Sequence, residues 1–239
     1  RNEVQRRDLL ADVTHELRTP VAVIQGNLEG VLDGIYAADA EHLGPVLEEV
    51  RQLSHLIDDL RTLSQSESGG LELHREPTDL AVLAGEVAAS FRPQAEALKV
   101  ELVVEAPVDL PLAEVDPIRI REVLVNLVAN SLRHTSGGGR VTVGARLEPD
   151  MRRFKLTVED NGAGIPAEQL PHIFDRVYKS QGSSGSGLGL TIARHLVQAH
   201  GGEIGAESAP GRGTTLHFTL PLAPAGQGAG QNITESGTP

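Results

Sequence analysis

The stretch DVTHELRTP, residues 12–20, places a histidine beside a glutamate and one helical turn before a threonine. An imidazole is largely neutral and nucleophilic near neutral pH, and an adjacent carboxylate can accept a hydrogen bond from one ring nitrogen and leave the other free to attack. His15 and Glu16 are therefore a candidate nucleophile and its base. A single exposed histidine without further context is more often an ordinary surface residue.

The apolar residues around this histidine recur at spacings of three and four, which predicts an amphipathic helix. At about 100° per residue, His15 lies about 200° from Val13 and is predicted to face solvent. Pro20 cannot donate a helical hydrogen bond, so a loosened or bent helix is expected just after His15.

Two asparagines, Asn126 and Asn130, stand one helical turn apart and are followed by Arg133 and His134. Paired amide oxygens at this spacing can hold a hard cation such as Mg²⁺. Asparagines on an apolar helix also form local polar networks, so the pair by itself does not decide between the two.

Asp160 directly follows the predicted strand KLTVED and could accept a hydrogen bond from an exocyclic amine. Gly162 and Gly164 would let the backbone approach a flat ligand closely, although a simple turn explains them equally well. In GSSGSGLGL, residues 182–190, glycines open an apolar helix, and free N–H groups at a helix start favour an anion. The spacing matches neither the dinucleotide fingerprint nor a P-loop.

Two heptad stripes predict a pair of long helices at the N-terminus, joined through DGIYAAD. One hairpin cannot bury both stripes, so a four-helix bundle made by two chains is expected. The stripes are Leu10, Val13, Leu17, Val21, Ile24, Leu28, Val31 and Ile35, then Leu43, Val46, Val50, Leu53, Ile57, Leu60 and Ser64.

After the polar run SQSESGG the pattern changes to helices alternating with strands, which predicts an α/β sandwich. The predicted helices cover 79–97, 117–134 and 187–200, and the predicted strands cover 99–105, 140–148, 153–160 and 214–222. The predicted organisation is a helical domain at 1–66, a linker at 67–76, an α/β domain at 77–223 and a disordered tail at 224–239.

Composition excludes several classes of protein. The formal charge of −12 disfavours nucleic-acid binding through an overall positive field, and the absence of cysteine excludes disulfides and thiolate metal sites. No apolar run approaches the roughly 18 residues of a membrane span. No membrane contact by this chain itself is therefore expected.

Taken in order, HELRTP, NLVANSLRHT, DNGAGIP, IFDRVY and GSGLGL resemble the H, N, G1, F and G2 boxes of bacterial sensor histidine kinases, over residues 5–221. The resemblance implies an α+β chain: an antiparallel helical hairpin that forms a dimeric four-helix bundle, followed by an ATP-binding domain of the Bergerat type. It implies autophosphorylation of His15 by ATP and transfer of the phosphoryl group to an aspartate of a response-regulator receiver domain.

The same resemblance implies roles for single residues. His15 would be phosphorylated and Glu16 would be its base, while Thr19 would position water for dephosphorylation of the partner regulator. Asn130, with Asn126, would coordinate Mg²⁺, and Asp160 would read the adenine amino group. The remaining implied nucleotide-binding residues are Arg133, His134, Gly162, Gly164, Ile165, Phe174, Gly185, Gly187, Leu188 and Gly189, with Phe174 in a mobile lid and the last glycines at its phosphate-side hinge.

Some positions depart from the commonest pattern of the family. Arg133 stands where lysine is frequent, and its bidentate geometry could contact phosphate more firmly. His134 stands where tyrosine is frequent, so its stacking on adenine would be weaker or pH-sensitive. Val177 replaces a frequent second phenylalanine, which changes the expected packing of the lid.

Three rival functions can be weighed against the kinase. A hydrolytic ATPase of the same fold would carry a glutamate at position 126 to activate water, and Asn126 cannot take a proton. A signalling module without catalytic activity should lack an essential residue, and none is missing. A coiled-coil scaffold explains residues 1–66 alone.

By its family resemblance, the chain is expected to be the cytoplasmic portion of an inner-membrane sensor, with a sensor and anchor upstream.

Overall fold

In the computed structural model, the described residues are 2–67, 70–107, 109–148, 150, 152–175 and 187–222, and side chains are described from residue 17 onward except at 67. Over these residues the structure has five α-helices, a short 3₁₀ helix at Leu170–His172 and seven strands. In chain order the α-helices and strands are α1 (Asn2–Leu32), α2 (Ala40–Glu67), β1 (Glu76–Thr78), α3 (Leu80–Leu98), β2 (Glu101–Glu105), β3 (Ala113–Val115), α4 (Pro117–His134), β4 (Arg140–Glu148), β5 (Arg153–Asp160), α5 (Gly189–Ala199), β6 (Ile204–Ser208) and β7 (Thr214–Pro221).

The helices α1 and α2 pack on each other as the predicted hairpin. Their connection is closed by Tyr36, whose ring stacks on His42 with centroids 4.9 Å apart. Gly30 gives that ring its space, because a Cβ there would lie 2.3 Å from a Tyr36 ring carbon. The helix α1 runs through Pro20 without interruption. Within the described residues, no helix has both the length and the apolarity needed to span a membrane.

The α/β domain is a two-layer sandwich, as the sequence predicts. Its five-stranded sheet has the order β2-β4-β5-β7-β6, in which only β2 and β4 pair in parallel. A separate two-stranded sheet pairs β1 with β3. Alternate residues of the central strands are buried beneath α3, α4 and α5, and these are Val141, Val143, Ala145, Phe154, Leu156, Val158, Leu216, Phe218 and Leu220.

Two aspartates fix the helix starts that position the polar residues of the domain. Asp116 caps α4 by accepting hydrogen bonds from the amides of Ile118 and Arg119, both at 3.1 Å, and Asp79 caps α3 in the same way. Pro117 occupies the first turn of α4, where the absence of an N–H costs nothing. The other carboxylate oxygen of Asp116 accepts from the His74 amide at 3.0 Å, so a residue of the predicted linker contacts the α/β domain.

Candidate functional site

The helix α4 presents Asn126 and Asn130 to a cavity of about 860 Å³. Both side chains are half-buried, whereas Leu127 and Val128 on the other face of α4 are fully buried against the sheet. The apolar face of the helix therefore anchors it, and the two amides are left to meet a ligand.

Asp160 is the last residue of β5 and lies at the end of two strand ladders, opposite Val141 on β4 and Thr214 on β7. Its carboxylate accepts hydrogen bonds from the Gly162 amide at 3.0 Å and the Thr214 amide at 3.2 Å. Burial raises the pKa of Asp160, and the hydrogen bond from the Gly162 amide opposes that rise. The carboxylate thus lines the cavity in a position fixed by backbone on two sides.

The loop after Asp160 leaves no room for side chains at its glycines. A Cβ on Gly162 would lie 2.2 Å from the carbonyl oxygen of His134, so this loop passes directly against the end of α4. Gly164 has φ +71°, and a Cβ there would lie 2.0 Å from the Ala209 carbonyl oxygen. The backbone itself forms this wall, which suits a flat ligand.

Arg133 and His134 stand at the C-terminal end of α4, on the rim of the same cavity. Burial lowers the pKa of the Arg133 guanidinium from its ordinary value. Burial also lowers the pKa of His134, and the positive charge of Arg133 adds to this effect. At neutral pH the imidazole is therefore uncharged and offers a flat face.

The start of α5 also lines the cavity. Gly187 and Gly189 line it, and a Cβ on Gly189 would lie 3.0 Å from the side-chain oxygen of Asn126. The two asparagines and the first turn of α5 therefore face a common space, where helix N–H groups favour an anion. Gly185 lies outside the described residues.

The predicted lid residue Phe174 is buried in the core and is not among the residues that line the cavity. Its carbonyl oxygen accepts a hydrogen bond from the Thr191 hydroxyl at 3.2 Å, and that of Asp175 accepts from the same hydroxyl at 3.0 Å. Phe174 thus anchors the segment just before the predicted lid to α5. Leu188 is likewise buried.

A second wall of the cavity comes from the helical hairpin. Pro20 of α1 lines it, together with residues of α2, namely Glu48, Arg51, Gln52, Leu53, His55, Leu56 and Asp59. The helix α2 also contacts α5, and Leu56 and Leu63 are buried in the same apolar cluster as the α/β domain. The cavity is thus shared by the two domains.

The structure brings most of the predicted binding residues into this one cavity. The predicted residues that line it are Asn126, Asn130, Arg133, His134, Asp160, Gly164, Ile165, Gly187 and Gly189. Sequence reasoning missed Thr214, which strand pairing places beside Asp160, and the whole wall from α2. The pairing of Asp160 with Thr214 spans 54 residues, and no local pattern reveals it.

The predicted phosphoacceptor lies on α1, whose backbone is described at residues 15 and 16. The side chains of His15 and Glu16, and with them the predicted outward orientation of His15, lie outside the described residues. Thr19 is exposed, and its neighbour Pro20 is buried.

The cavity has two environments. One is the Asp160 carboxylate beside the backbone wall, and the other is formed by the asparagine amides and the backbone N–H groups at the start of α5. The first can read an amino group on a planar base, and the second can meet phosphate oxygens and a cation. This pair of environments in one cavity fits a nucleoside triphosphate.

Comparison with known families agrees with this chemistry. Residues 5–69 match the family described as "His Kinase A (phospho-acceptor) domain". Residues 115–224 match "Histidine kinase-, DNA gyrase B-, and HSP90-like ATPase". The first match contains His15, and the second contains the cavity residues of the α/β domain.

Individual proteins resemble the chain over nearly its whole length. The signal transduction histidine-protein kinase BaeS of Escherichia coli (strain K12) is 36% identical over 227 residues, which cover 93% of this chain and 48% of BaeS. The chain thus spans about half the length of this curated relative.

Two solved structures resemble it as well. The solved chain of the histidine kinase AdeS of Acinetobacter baumannii superposes with a TM-score of 0.74 at 27% identity, over 88% of this chain and 98% of that solved chain. Full-length ShkA in complex with AMPPNP superposes with a TM-score of 0.71 at 26% identity, over 92% of this chain and 47% of ShkA. Because the phosphoacceptor and ATP-binding family matches together cover most of the chain and BaeS resembles it over 93% of its length, the chain belongs to the sensor histidine kinase family.

Proposed function

We propose that the chain is the core of an ATP-dependent protein-histidine kinase that phosphorylates its own His15. The observation that carries this proposal is the shared cavity, in which Asn130 and Asp160 face a wall built by the helices of the phosphoacceptor domain. Pro20, five residues after His15 on α1, is part of that wall. A nucleotide bound there would lie beside the domain that accepts its phosphoryl group.

In the proposed reaction, a ring nitrogen of His15 attacks the γ-phosphorus of ATP as the bond to the β-phosphate oxygen breaks. ADP leaves, and a phosphorus–nitrogen bond forms. Glu16 accepts the hydrogen bond, and finally the proton, of the other ring nitrogen. Asp160 holds the base, and the glycines at the start of α5 meet the phosphates through backbone N–H groups.

Mg²⁺ is proposed to bind at Asn126 and Asn130 together with phosphate oxygens of the nucleotide. The two amides suit a hard cation, and they face the space beside Gly189 where the phosphates would lie. Within the described residues, no group of three acidic or histidine side chains could hold the cation without the nucleotide. When bound, Mg²⁺ would neutralise charge that develops on the phosphate oxygens.

Glu122 bears on the rival hydrolytic function, because it is the carboxylate nearest in sequence to the expected position of a water-activating glutamate. It is paired with Arg119 at 2.9 Å and is not among the residues that line the cavity. Asn126 lines it instead. This arrangement favours transfer to His15 over hydrolysis.

Transfer from phosphorylated His15 to an aspartate of a response-regulator receiver domain is the proposed second step. The receiver would belong to a separate protein. The remaining length of relatives such as BaeS is consistent with a sensor and membrane anchor outside this sequence, with this core on the cytoplasmic side.

The chain is further proposed to act as a homodimer. Along both hairpin helices, apolar residues at one heptad position remain exposed, while those at the other are partly buried within the hairpin. The exposed residues recur every seven positions within each half of the hairpin. They are Val21, Leu28 and Ile35, the last just after the end of α1, and then Leu43, Val50 and Ile57 on α2. We call these six residues the exposed heptad stripe, because they are the exposed members of the two predicted stripes. A second hairpin would cover them.

The kinase assay is incubation of the purified chain with γ-labelled ATP and Mg²⁺, followed by a test of the label for acid lability. Acid-labile label is expected on the parent and on the His74→Gln control, whose imidazole is exposed outside the cavity. None is expected on His15→Gln or Asn130→Ala. Label that persists on His15→Gln would contradict the assignment of the phosphoacceptor, and sustained phosphate release without label would favour the hydrolytic ATPase.

Phosphatase activity toward the phosphorylated regulator is proposed for Thr19, whose exposed side chain lies one turn after His15. Thr19→Ala is expected to slow phosphate release from the regulator about tenfold or more while autophosphorylation persists, because the hydroxyl that orients water is lost. Thr19→Ser should retain most of the activity. Release at the parent rate by Thr19→Ala would refute the role.

A further inference from the structure

The contact between α2 and α4 contains polar groups that neither the nucleotide site nor the apolar packing requires. The Arg119 guanidinium donates to the Thr62 hydroxyl at 3.4 Å and to the Glu122 carboxylate at 2.9 Å. Thr62 is only 5% exposed. Arg119 thus links the helix that carries the nucleotide-binding asparagines to the phosphoacceptor hairpin.

Asp59 lies one turn before Thr62 on the face of α2 that meets the α/β domain, where it also lines the edge of the nucleotide cavity. It is flanked on that helix by Leu56 and Leu63, which are 5% and 1% exposed. Carboxylates that enter such an apolar contact lose hydration, and this loss disfavours their charged form. Asp59 is half-buried and, within the described part of the chain, accepts no hydrogen bond, unlike Glu122 with its arginine.

Burial, then the negative charges of Glu122 and Asp58, raise the pKa of Asp59 to about 7. Asp59 loses this environment when α2 separates from the α/β domain, and its pKa returns toward 3.8. The ionisable groups near this contact in sequence are Arg18 on α1, His55, Asp58 and Arg61 on α2, Arg119, Arg121 and Glu122 on α4, and Arg194 and His195 on α5. The cavity that Asp59 lines also contains Glu48, Arg51, Arg133, His134 and Asp160.

We propose that Thr62, Arg119, Glu122 and Asp59 form an interdomain latch that positions the α/β domain against α2, and that Asp59 takes up a proton when the latch closes. The latch residues act on the reaction by holding the two domains in one arrangement. They are positioning residues, and the proposal does not require that phosphoryl transfer occurs.

The sign of the pH effect follows from the two pKa values of Asp59. Between about 4 and about 7, the docked state holds a proton that the separated state has released, so rising pH disfavours docking by up to about tenfold per pH unit. Above that window Asp59 is charged in both states, and the dependence ends. Docking is therefore strongest in mild acid.

The test measures docking by energy transfer between two dyes on one chain. The chain has no cysteine, so Ala38→Cys in the hairpin connection and Ala89→Cys on α3, both exposed, introduce the two labelling sites. Labelled chains are diluted into an excess of unlabelled chain, so that transfer between partners of a dimer is suppressed. Spectra are collected from about pH 5 to about pH 8, the range in which the linkage predicts a change.

The docked fraction of the parent is expected to fall as the pH rises, and that of Asp59→Asn to stay nearly constant, because the amide carries no proton to release. Glu122→Gln should weaken the pH dependence and move it toward acid. Asp58→Asn is the matched control: it removes the same charge one residue away and should keep the dependence with a small acid shift. A parent that shows no pH dependence, or an Asp59→Asn variant that retains it, would overturn the proposal.

Discussion

At the scale of the residue, the site depends on side chains whose freedom has been removed by backbone contacts. Asp160 accepts from two amides, and the glycines after it have no space for a Cβ. Burial raises the pKa of Asp160, and the two amide donors oppose part of that rise while they fix the direction of the carboxylate.

Asp160→Asn tests this acceptor. The change is expected to weaken ATP binding about ten- to a hundredfold, because a charge-assisted hydrogen bond is lost. The asparagine side chain can also turn its own N–H toward the amino group of the base, where both groups are donors. Binding of a fluorescent ATP analogue would measure the loss. Glu159→Gln, next to it on the exposed face of β5, should bind like the parent. Equal binding by both variants would refute the role of Asp160.

At the scale of the element, α4 is tied to the end of α5 through a buried histidine. The Nε2 atom of His200 accepts from the Asp116 amide at 3.1 Å, and Nδ1 donates to the Leu196 carbonyl oxygen at 2.7 Å. This pairing requires the neutral imidazole. Burial lowers the pKa of His200, in keeping with that requirement.

His200→Gln is expected to flatten the acid dependence of stability. Below the ordinary pKa of 6.5, the unfolded parent binds a proton at His200 that the folded state resists, so the parent loses stability as the pH falls. Glutamine can replace both hydrogen bonds without titrating. Urea unfolding at several pH values would measure the slope, with His74→Gln as the exposed control. Parallel slopes for parent and His200→Gln would contradict the assignment.

The sequence predicted elements whose signals are local. Apolar periodicity predicted α3 and α4, whereas the roles of Asn126, Asn130 and Asp160 followed from the family resemblance, because their spacing alone left simpler explanations open. The strand β6 was missed because IGAES contains glycine and alanine in place of branched residues. The hydrogen bonds of its antiparallel pairing with β7 stabilise the strand despite this weak local preference. Thr214 and the α2 wall depend on contacts between distant residues, which no local pattern encodes.

At the scale of the whole molecule, the exposed heptad stripe is the feature that a single chain leaves unsatisfied. Leu28 is 40% exposed and Ile57 is 60% exposed, although both belong to a regular apolar repeat. Contiguous apolar surface of this kind marks an interface. The hairpin and the stripe together predict the two-chain bundle.

Leu28→Glu is expected to raise the dissociation constant of the dimer at least about tenfold, because two unpaired carboxylates would enter the apolar interface. Sedimentation across a range of concentrations would measure the shift. Ala22→Glu, exposed about 120° away around α1, adds the same charge outside the stripe and should leave association unchanged. An unchanged dimer in Leu28→Glu would place the interface elsewhere.

The anchoring of Asp160 between two strand ladders has a metabolic consequence. The carboxylate of Asp160, which is proposed to accept a hydrogen bond from the base, is held by the Gly162 and Thr214 amides and therefore does not depend on the γ-phosphate for its position. ADP carries the same base and is expected to meet that carboxylate as readily as ATP does. In the proposed kinase, ADP would therefore compete with ATP for the site, and autophosphorylation would decline as the ratio of ATP to ADP falls.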